Sequence, residues 1–407
     1  MEKKIIYNGK IITPLGIIDK GYVLIQNKTI ADVGEGTIEV SEDTLAIDAG
    51  GKFVSPGFID IHVHGGGGHD FMDASVEAFL KIAETHVKYG TTALNPTTLT
   101  SEIKDLFFTL DLYKEANRLN TKGAQFLGVH LEGPYFAISQ RGAQDPRYIR
   151  NPDPKEYQAV LDYSDDIVRW SAAPELPGAI EFGRYVKSKG KVLALAHTDA
   201  IYEEALTGFN NGYTLATHFY SAMSGVTRRN AYRYAGVVEA GYLIDEMDVE
   251  IIADGVHLPA PLLKLVYKIK GPDRIALITD AMRAAGMPEG ESVLGNLQTG
   301  LKVIVEGGVA KLPDLSAFAG SVATTDRLVR TMINEAEIPL QDAIKMISQT
   351  PARIMGIADK KGSLEKGKDA DIVIFDEQIN VTMTIVNGSI KYSLVYHNEN
   401  PIVDINI

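Results

Sequence analysis

No cysteine occurs anywhere in the 407 residues. Disulfides, thiolate metal sites and cysteine nucleophiles are excluded together. A transition metal could be held only by histidine, aspartate or glutamate. Positive charge is also short. The 40 Lys and Arg stand against 53 Asp and Glu, a formal net charge of −13. A chain this acidic is a poor partner for nucleic acid or an anionic membrane, and an anionic ligand would need a few local Arg or His side chains to hold it. No apolar run approaches the ~18 residues of a membrane-spanning helix, and the opening MEKKIIYNGKIITPLG lacks the apolar stretch of a signal peptide. The expectation is a cytoplasmic protein with neither membrane nor nucleic acid as partner.

What is present is ordinary in amount, 45% hydrophobic and 23% charged, and the length suits one large core with an appendage. The two ends share a texture. KKIIYNGKIITPLG, KGYVLIQNKTIADVG and TLAIDAGGKFV near the start, and DADIVIFDEQ and VTMTIVNGSIKYS near the end, are β-branched runs broken by Gly, Asn and Pro, which reads as strands and turns. Short strands need partners, so the ends are expected to form one small β-sandwich domain from residues 1–55 and 357–407. The centre alternates instead. Apolar strands such as KVLALAH, YTLATHF, VEIIADGVH and RIALITDA are interleaved with amphipathic helices such as IYEEALTGFNNG and LPAPLLKLVYKIKG, and SVEAFLKIAETHVKYG reads as a helix capped by Ser75 and stopped at Gly90. Apolar strands alternating with helices predict a buried parallel sheet, and about 300 residues of this pattern suit a (β/α)₈ TIM-type barrel over 56–356. No GxGxxG follows a strand, so a dinucleotide fold has no support.

The polar residues of these strands gather at their C-terminal ends. His62 and His64 close FIDIHVH, His130 and Glu132 lie in GVHLEG, His197 ends VLALAH, His218 ends YTLATH, His257 closes ADGVH and Asp280 ends IALITD. In a barrel those ends converge on the face where active sites form. One histidine at a strand end is ordinarily a structural, hydrogen-bonded residue; it is the joint distribution that points to a site. His69, His86 and His397 read as structural. Residues i and i+2 of a strand face one side, so His62 and His64 can bind one ion together. Glu132, His197 and His218 make a second trio, and three protein ligands with an open position is the catalytic pattern, in which a bound water loses its proton near neutral pH. Asp280 is then the natural general base. The glycines of HVHGGGGHD do not belong to GxxxxGK[ST]; they read as a sharp turn leaving room above the metal. TRRNAYRY (227–234), close after His218, is read as a phosphate clamp.

PGFIDIHVHG, HLEGPY, LAHTDA, THFYSAM, ADGVH, LITDAM and FAGS occur in this order. Together they resemble the N-acetylglucosamine-6-phosphate deacetylases of the amidohydrolase superfamily, over nearly the whole chain. The resemblance implies a (β/α)₈ barrel that hydrolyses the acetamide of a sugar phosphate, a small-molecule amino-sugar phosphate as substrate, and a homodimer in which an arginine of one chain reaches the other's phosphate. It implies one or two divalent ions per subunit, Zn or Fe(II) foremost. Glu132, His197 and His218 match the principal ligands, His62 and His64 a second site, and Asp280 the catalytic acid/base and a sixth metal ligand. Ala143, Gln144, Ser221, Ala222, Arg229, His257, Phe318, Ala319 and Gly320 fall at substrate positions. Two departures are visible: Ser221 stands where the family often has Asn, and Gln144 where some members have His. Ser221 keeps open a related substrate, such as N-acetylgalactosamine 6-phosphate or an unphosphorylated N-acetyl compound. A scaffold without chemistry would show damaged ligands, and all six ligand positions are intact. No lysine lies at a plausible strand end for carboxylation; Glu132 takes that place.

Overall fold

Two runs of parallel strands carry the middle of the chain. In one, Phe58–Val63 pairs with Thr91–Pro96, which pairs with Gln125–Phe126. In the other, Val129–Glu132, Ile167–Ala172, Val192–Leu195, Tyr213–Ala216, Asp248–Ile251 and Ile275–Leu277 lie side by side in chain order. Single parallel bridges join the runs, Thr97 to His130 at one side and Val63 to Ala281 at the other. The sheet curls, and the strands' C-terminal ends face one another across its mouth. The strands are buried along nearly their whole length, as strands covered on both faces must be.

This computed structural model describes residues 2–39, 41–397 and 400–403. Helices separate the strands and share one apolar cluster with them, in which Phe79, Ile82 and Leu110 from helices meet Phe58, Leu94 and Phe126 from strands. The first, Val76–His86, begins where Ser75 Oγ accepts from the Ala78 amide and is followed by a short 3₁₀ turn that stops at left-handed Gly90. The next long loop ends on Asp153, whose carboxylate accepts the Lys155 amide at 2.7 Å before Pro154–Tyr163.

The two ends of the chain meet in a nine-strand sheet. Phe53–Pro56 pairs in parallel with Lys3–Thr13 and antiparallel with Ile372–Phe375. Ile6, Ile11, Val23 and Ile25 from the start pack with Ile372, Ile374 and Ile385 from the end. Two further β elements interrupt the strand–helix alternation. A four-strand antiparallel patch comprises Gly290–Leu294, Leu301–Glu306, Val309–Lys311 and Phe318–Ser321. A small hairpin pairs Thr227–Arg229 with Tyr232–Tyr234. The patch has its own apolar cluster around Val303, Val305 and Ala319 and bridges to the curled sheet through Ala281 and Ser321. Among the described residues, no helix is long and apolar enough to cross a membrane.

Candidate active site

The residues singled out at the strand ends arrive together, but the strands stop earlier than their apolar runs suggest. Val192–Leu195, Tyr213–Ala216 and Ile275–Leu277 each end just before their polar residue. His197, His218 and Asp280 then take φ of 46°, 31° and 49°. That left-handed conformation costs a non-glycine residue about 1–3 kcal/mol and recurs at functional sites. It turns each side chain over the mouth of the sheet. Backbone hydrogen bonds fix all three turns: the amides of Ala137, Ser221 and Ser321 donate to the carbonyls of His197, His218 and Asp280 at 2.8–2.9 Å.

Glu132 is the centre. Its Oε1 lies 3.1 Å from His218 Nε2, 3.6 Å from His197 Nε2 and 3.3 Å from His62 Nε2, while Oε2 lies 3.3 Å from His64 Nε2. Asp280 Oδ1 faces the same pair, 3.4 Å from His62 Nε2 and 3.2 Å from His64 Nε2. Two ligand groups result, His62–His64–Glu132 and Glu132–His197–His218, sharing Glu132 and all buried.

The donor set fits a cation. His197 Nδ1 lies 2.8 Å from the Gln140 carbonyl and His218 Nδ1 3.1 Å from that of Ser221. A carbonyl only accepts, so both Nδ1 atoms carry the proton and both Nε2 atoms present lone pairs. Those lone pairs face each other at 3.3 Å, and the Nε2 atoms of His62 and His64 are also 3.3 Å apart. Lone pairs and carboxylates at such distances need positive charge between them. The titration of the groups shows the same demand. Burial alone would lower the pKa of His62, yet the carboxylates of Asp280 and Glu132 push it up to about 9. Burial would raise Glu132, and His62, His197 and His218 hold it well below the usual carboxylate range. The two groups suit one or two divalent ions per subunit.

Above the ligands opens a cleft of ≈ 460 Å³. His64, Glu132, His197, His218, His257 and Asp280 line its depth; Ala143, Gln144, Ser221, Ala222, Phe318 and Gly320 line its walls. The side chain of Ala319 instead packs away from it, in the cluster of Met282, Leu294 and Val305. Gln144 is fixed at both ends: its Oε1 accepts the Thr100 amide at 2.9 Å and its Nε2 donates to Glu132 Oε2 at 2.7 Å. The hairpin bearing Arg229 does not line this cleft, and the Arg229 side chain lies outside the described residues.

The four glycines do something other than clear space above the ligands. None lines the cleft. Gly65 and Gly66 pair with Asp70 and His69 in a tight hairpin. A Cβ on Gly65 would meet the His69 carbonyl at 2.3 Å and the Arg283 amide at 2.8 Å, and one on Gly66 would meet His86 Nε2 at 2.8 Å. The glycines let the hairpin lie against the Val76–His86 helix and the chain after Asp280.

Several residues at the site escaped the reading of the sequence. Arg141 is the one Lys or Arg among the described residues lining the cleft. Asp254 Oδ2 lies 2.7 Å from His257 Nδ1 and orients that ring. Beneath His62, fully buried Arg169 pairs with fully buried Glu250. Arginine in IVRWSA and glutamate in VEII, each inside an apolar strand, were the available signal.

A model of the Amidohydrolase family matches residues 53–391. The chain is 34% identical over 392 residues to the N-acetylglucosamine-6-phosphate deacetylase of Lysinibacillus sphaericus, covering 95% of this chain and 97% of that protein. It is 32% identical over 382 residues to an N-acetylgalactosamine-6-phosphate deacetylase of Escherichia coli O157:H7, covering 94% and 97%. The crystal structure of N-acetylglucosamine-6-phosphate deacetylase from Pasteurella multocida matches with a TM-score of 0.88 at 30% identity, over 95% of this chain and 99% of that one.

Proposed function

Because this chain belongs to the amidohydrolase family, we propose that its cleft hydrolyses the acetamide of N-acetylglucosamine 6-phosphate to glucosamine 6-phosphate and acetate. The observation that carries this is the convergence of four imidazole Nε2 atoms and Asp280 on Glu132 in a cleft of sugar-phosphate size. Glu132, His197 and His218 would hold a divalent metal, with a second position at His62 and His64, and such an ion would acidify the attacking water and polarise the acyl group.

The chain's own groups do the rest. Burial would raise the Asp280 pKa, and the neighbouring His62 and His64 hold it down, so Asp280 is a carboxylate ready to accept the attacking water's proton. It then passes that proton to the amine nitrogen, and the amino sugar leaves as a neutral amine. Asp254 Oδ2 accepts from the Nδ1–H of His257, which leaves His257 Nε2 to accept from a sugar hydroxyl. Ser221 Oγ and the Ala222 backbone bound the sugar's far end, with Gln144 and Ala143 at the acyl end and Phe318 to Gly320 closing one wall. Arg141 provides positive charge within the cleft for the phosphate.

The same reading includes a homodimer whose hairpin brings Arg229 of the partner subunit to that phosphate. It includes a closed (β/α)₈ barrel over 56–356, with Gln125–Phe126 and Val129–Glu132 counted as two parts of one strand, supported by the Thr97–His130 and Val63–Ala281 bridges, and sandwich packing of the terminal sheet built from 1–55 and 357–407. A phosphorylated sugar does not cross membranes, which supports a cytoplasmic location. A second reading, the galactosamine epimer, is favoured by the similarity to the Escherichia coli O157:H7 protein.

The test is acetate release from the two 6-phosphorylated epimers and from unphosphorylated N-acetylglucosamine. N-acetylglucosamine 6-phosphate is expected to give the highest kcat/KM, and a chelator to abolish it. Equal kcat/KM with and without phosphate would overturn the phosphate reading. A higher value on the galactosamine epimer would select the second substrate. Asp280→Asn should keep its metal and lose about 10²-fold or more in kcat; a loss of a few-fold would remove Asp280 from its role.

A further inference from the structure

Each histidine of the ligand pair His197 and His218 is oriented by a backbone carbonyl. His62 is different. Its Nδ1 makes no short hydrogen bond among the described residues. The carboxylate oxygen it faces is Glu250 Oε2 at 3.5 Å, the long limit of such a contact. His62, Glu250 and Arg169 are all 0% exposed. Glu250 is held rigidly in turn. Arg169 donates Nη1 to Glu250 Oε1 and Nη2 to Oε2, the latter at 2.8 Å. The same guanidinium donates to the Ile61 carbonyl at 3.0 Å and to Thr217 Oγ1 at 3.1 Å. Thr217 continues to Ser171 at 2.9 Å, and Ser171 to His130 Nε2 at 2.7 Å. A bidentate ion pair thus spans strands Ile167–Ala172 and Asp248–Ile251, directly under one ligand.

We propose that Glu250 is the positioning residue of the His62–His64–Glu132 ion site: its carboxylate accepts from the Nδ1–H of His62 and so turns the Nε2 lone pair toward a second ion. Among the described residues no carboxylate faces the Nδ1 atoms of His197 and His218, whose orienting acceptors are main-chain carbonyls. Occupancy of the two positions is therefore separable by a side-chain change. Glutamine cannot replace Glu250. With one acceptor oxygen in place of two, its amide NH₂ must face either Arg169 Nη1 or, at the Oε2 position, Arg169 Nη2 and His62 Nδ1 together. The second arrangement favours the tautomer protonated on Nε2, which cannot ligate. Orienting partners of this kind are worth about 10- to 100-fold in metal affinity.

The inference rests on the metal-centre reading of the cleft, and zinc counts keep the two apart. The full chain is stripped, reloaded with Zn²⁺ and titrated by calorimetry, with bound metal counted by mass spectrometry. Wild type is expected to hold two ions. Glu250→Gln should hold the first unchanged and bind the second about 10- to 100-fold more weakly, with the His62 ring ¹⁵N shifts moving to the other tautomer. A merely structural role would weaken both ions together and leave the tautomer alone. Should Glu250→Gln not fold, the double variant Arg169→Met, Glu250→Leu removes the whole buried pair, a change that is often neutral for stability; it too should lose only the second ion. Two tightly bound ions in either variant, or a single ion in wild type, would overturn the proposal. No ion in wild type would overturn the metal-centre reading itself.

Discussion

His86 is a structural histidine whose protonation state the fold dictates. It is fully buried, its Nε2 donates to the Gly65 carbonyl at 2.9 Å, and its Nδ1 has no partner. Burial lowers its pKa from the ordinary 6.5. The unfolded chain therefore binds the proton that the folded chain refuses. Stability from this group is complete above about pH 6.5 and is lost as pH falls toward the depressed folded value, at up to about 1.4 kcal/mol per pH unit. His86→Gln can still donate to Gly65 but does not titrate. Urea unfolding of both proteins between about pH 5 and 7.5 should show the wild type losing more stability on acidification; parallel curves would contradict the assignment. The groups gathered around Glu132 were legible from their joint placement: one histidine at a strand end is ordinarily structural, but several His with Glu at successive strand ends point to one place. Their orienting partners were not. The carbonyls of Gln140 and Ser221 belong to the backbone, which leaves no mark on residue type, and Arg141 is one arginine in a loop without periodicity.

At the scale of elements, apolar runs and glycine stops revealed the alternation of strands and helices, because a strand buried on both faces and a one-sided helix have different periods. The patch of residues 290–321 was missed for the same reason. Its strands are short and half-exposed, and alternation over three to six residues is weak against a loop. The glycine hairpin was read as a turn, but its reason, close approach by His86 and Arg283, lies in residues far along the chain. Lys361 is another such case. It sits between the last helix, Gln349–Ile354, and the terminal sheet, with Nζ 2.6 Å from Asp371 Oδ2 and 2.9 Å from Asp369 Oδ2. Asp371 also accepts the Asn387 amide at 2.7 Å and gives its carbonyl to Gly57 at 2.8 Å. The pair thus ties the incoming chain, the outgoing chain and the sheet together. Lys361→Met would leave a buried carboxylate without its cation, which costs about 3–5 kcal/mol when both partners are buried. Thermal and urea unfolding of the metal-loaded protein should register a loss of that order, with kcat per folded molecule unchanged. A change below about 1 kcal/mol would mean that water reaches Asp371.

The whole molecule carries a net charge of −13 and yet is proposed to hold a phosphate monoester. Arg141 alone among the described residues lining the cleft is Lys or Arg, and one guanidinium is little for a dianion in an acidic protein. The hairpin Thr227–Arg229 with Tyr232–Tyr234 concentrates positive charge, but it lies outside the cleft lining, with Tyr232 and Val226 well exposed. An exposed aromatic and an exposed valine on a basic hairpin are what an interface would cover. A dimer that brings the hairpin of each chain to the other's cleft would resolve both oddities at once, supplying charge to the site and a cover for Tyr232 and Val226. Light scattering should then give twice the chain mass. Complementation tests the geometry more sharply. Arg229→Ala lacks the cation in both sites of its dimer, and Asp280→Asn lacks the base in both. Mixing and reassorting the two inactive proteins creates hybrid dimers in which one site has an intact Asp280 and receives Arg229 from the other chain. Activity on the phosphorylated sugar should therefore reappear on mixing. Its failure to do so, in samples shown to exchange subunits, would place Arg229 at its own chain's site or away from the phosphate altogether.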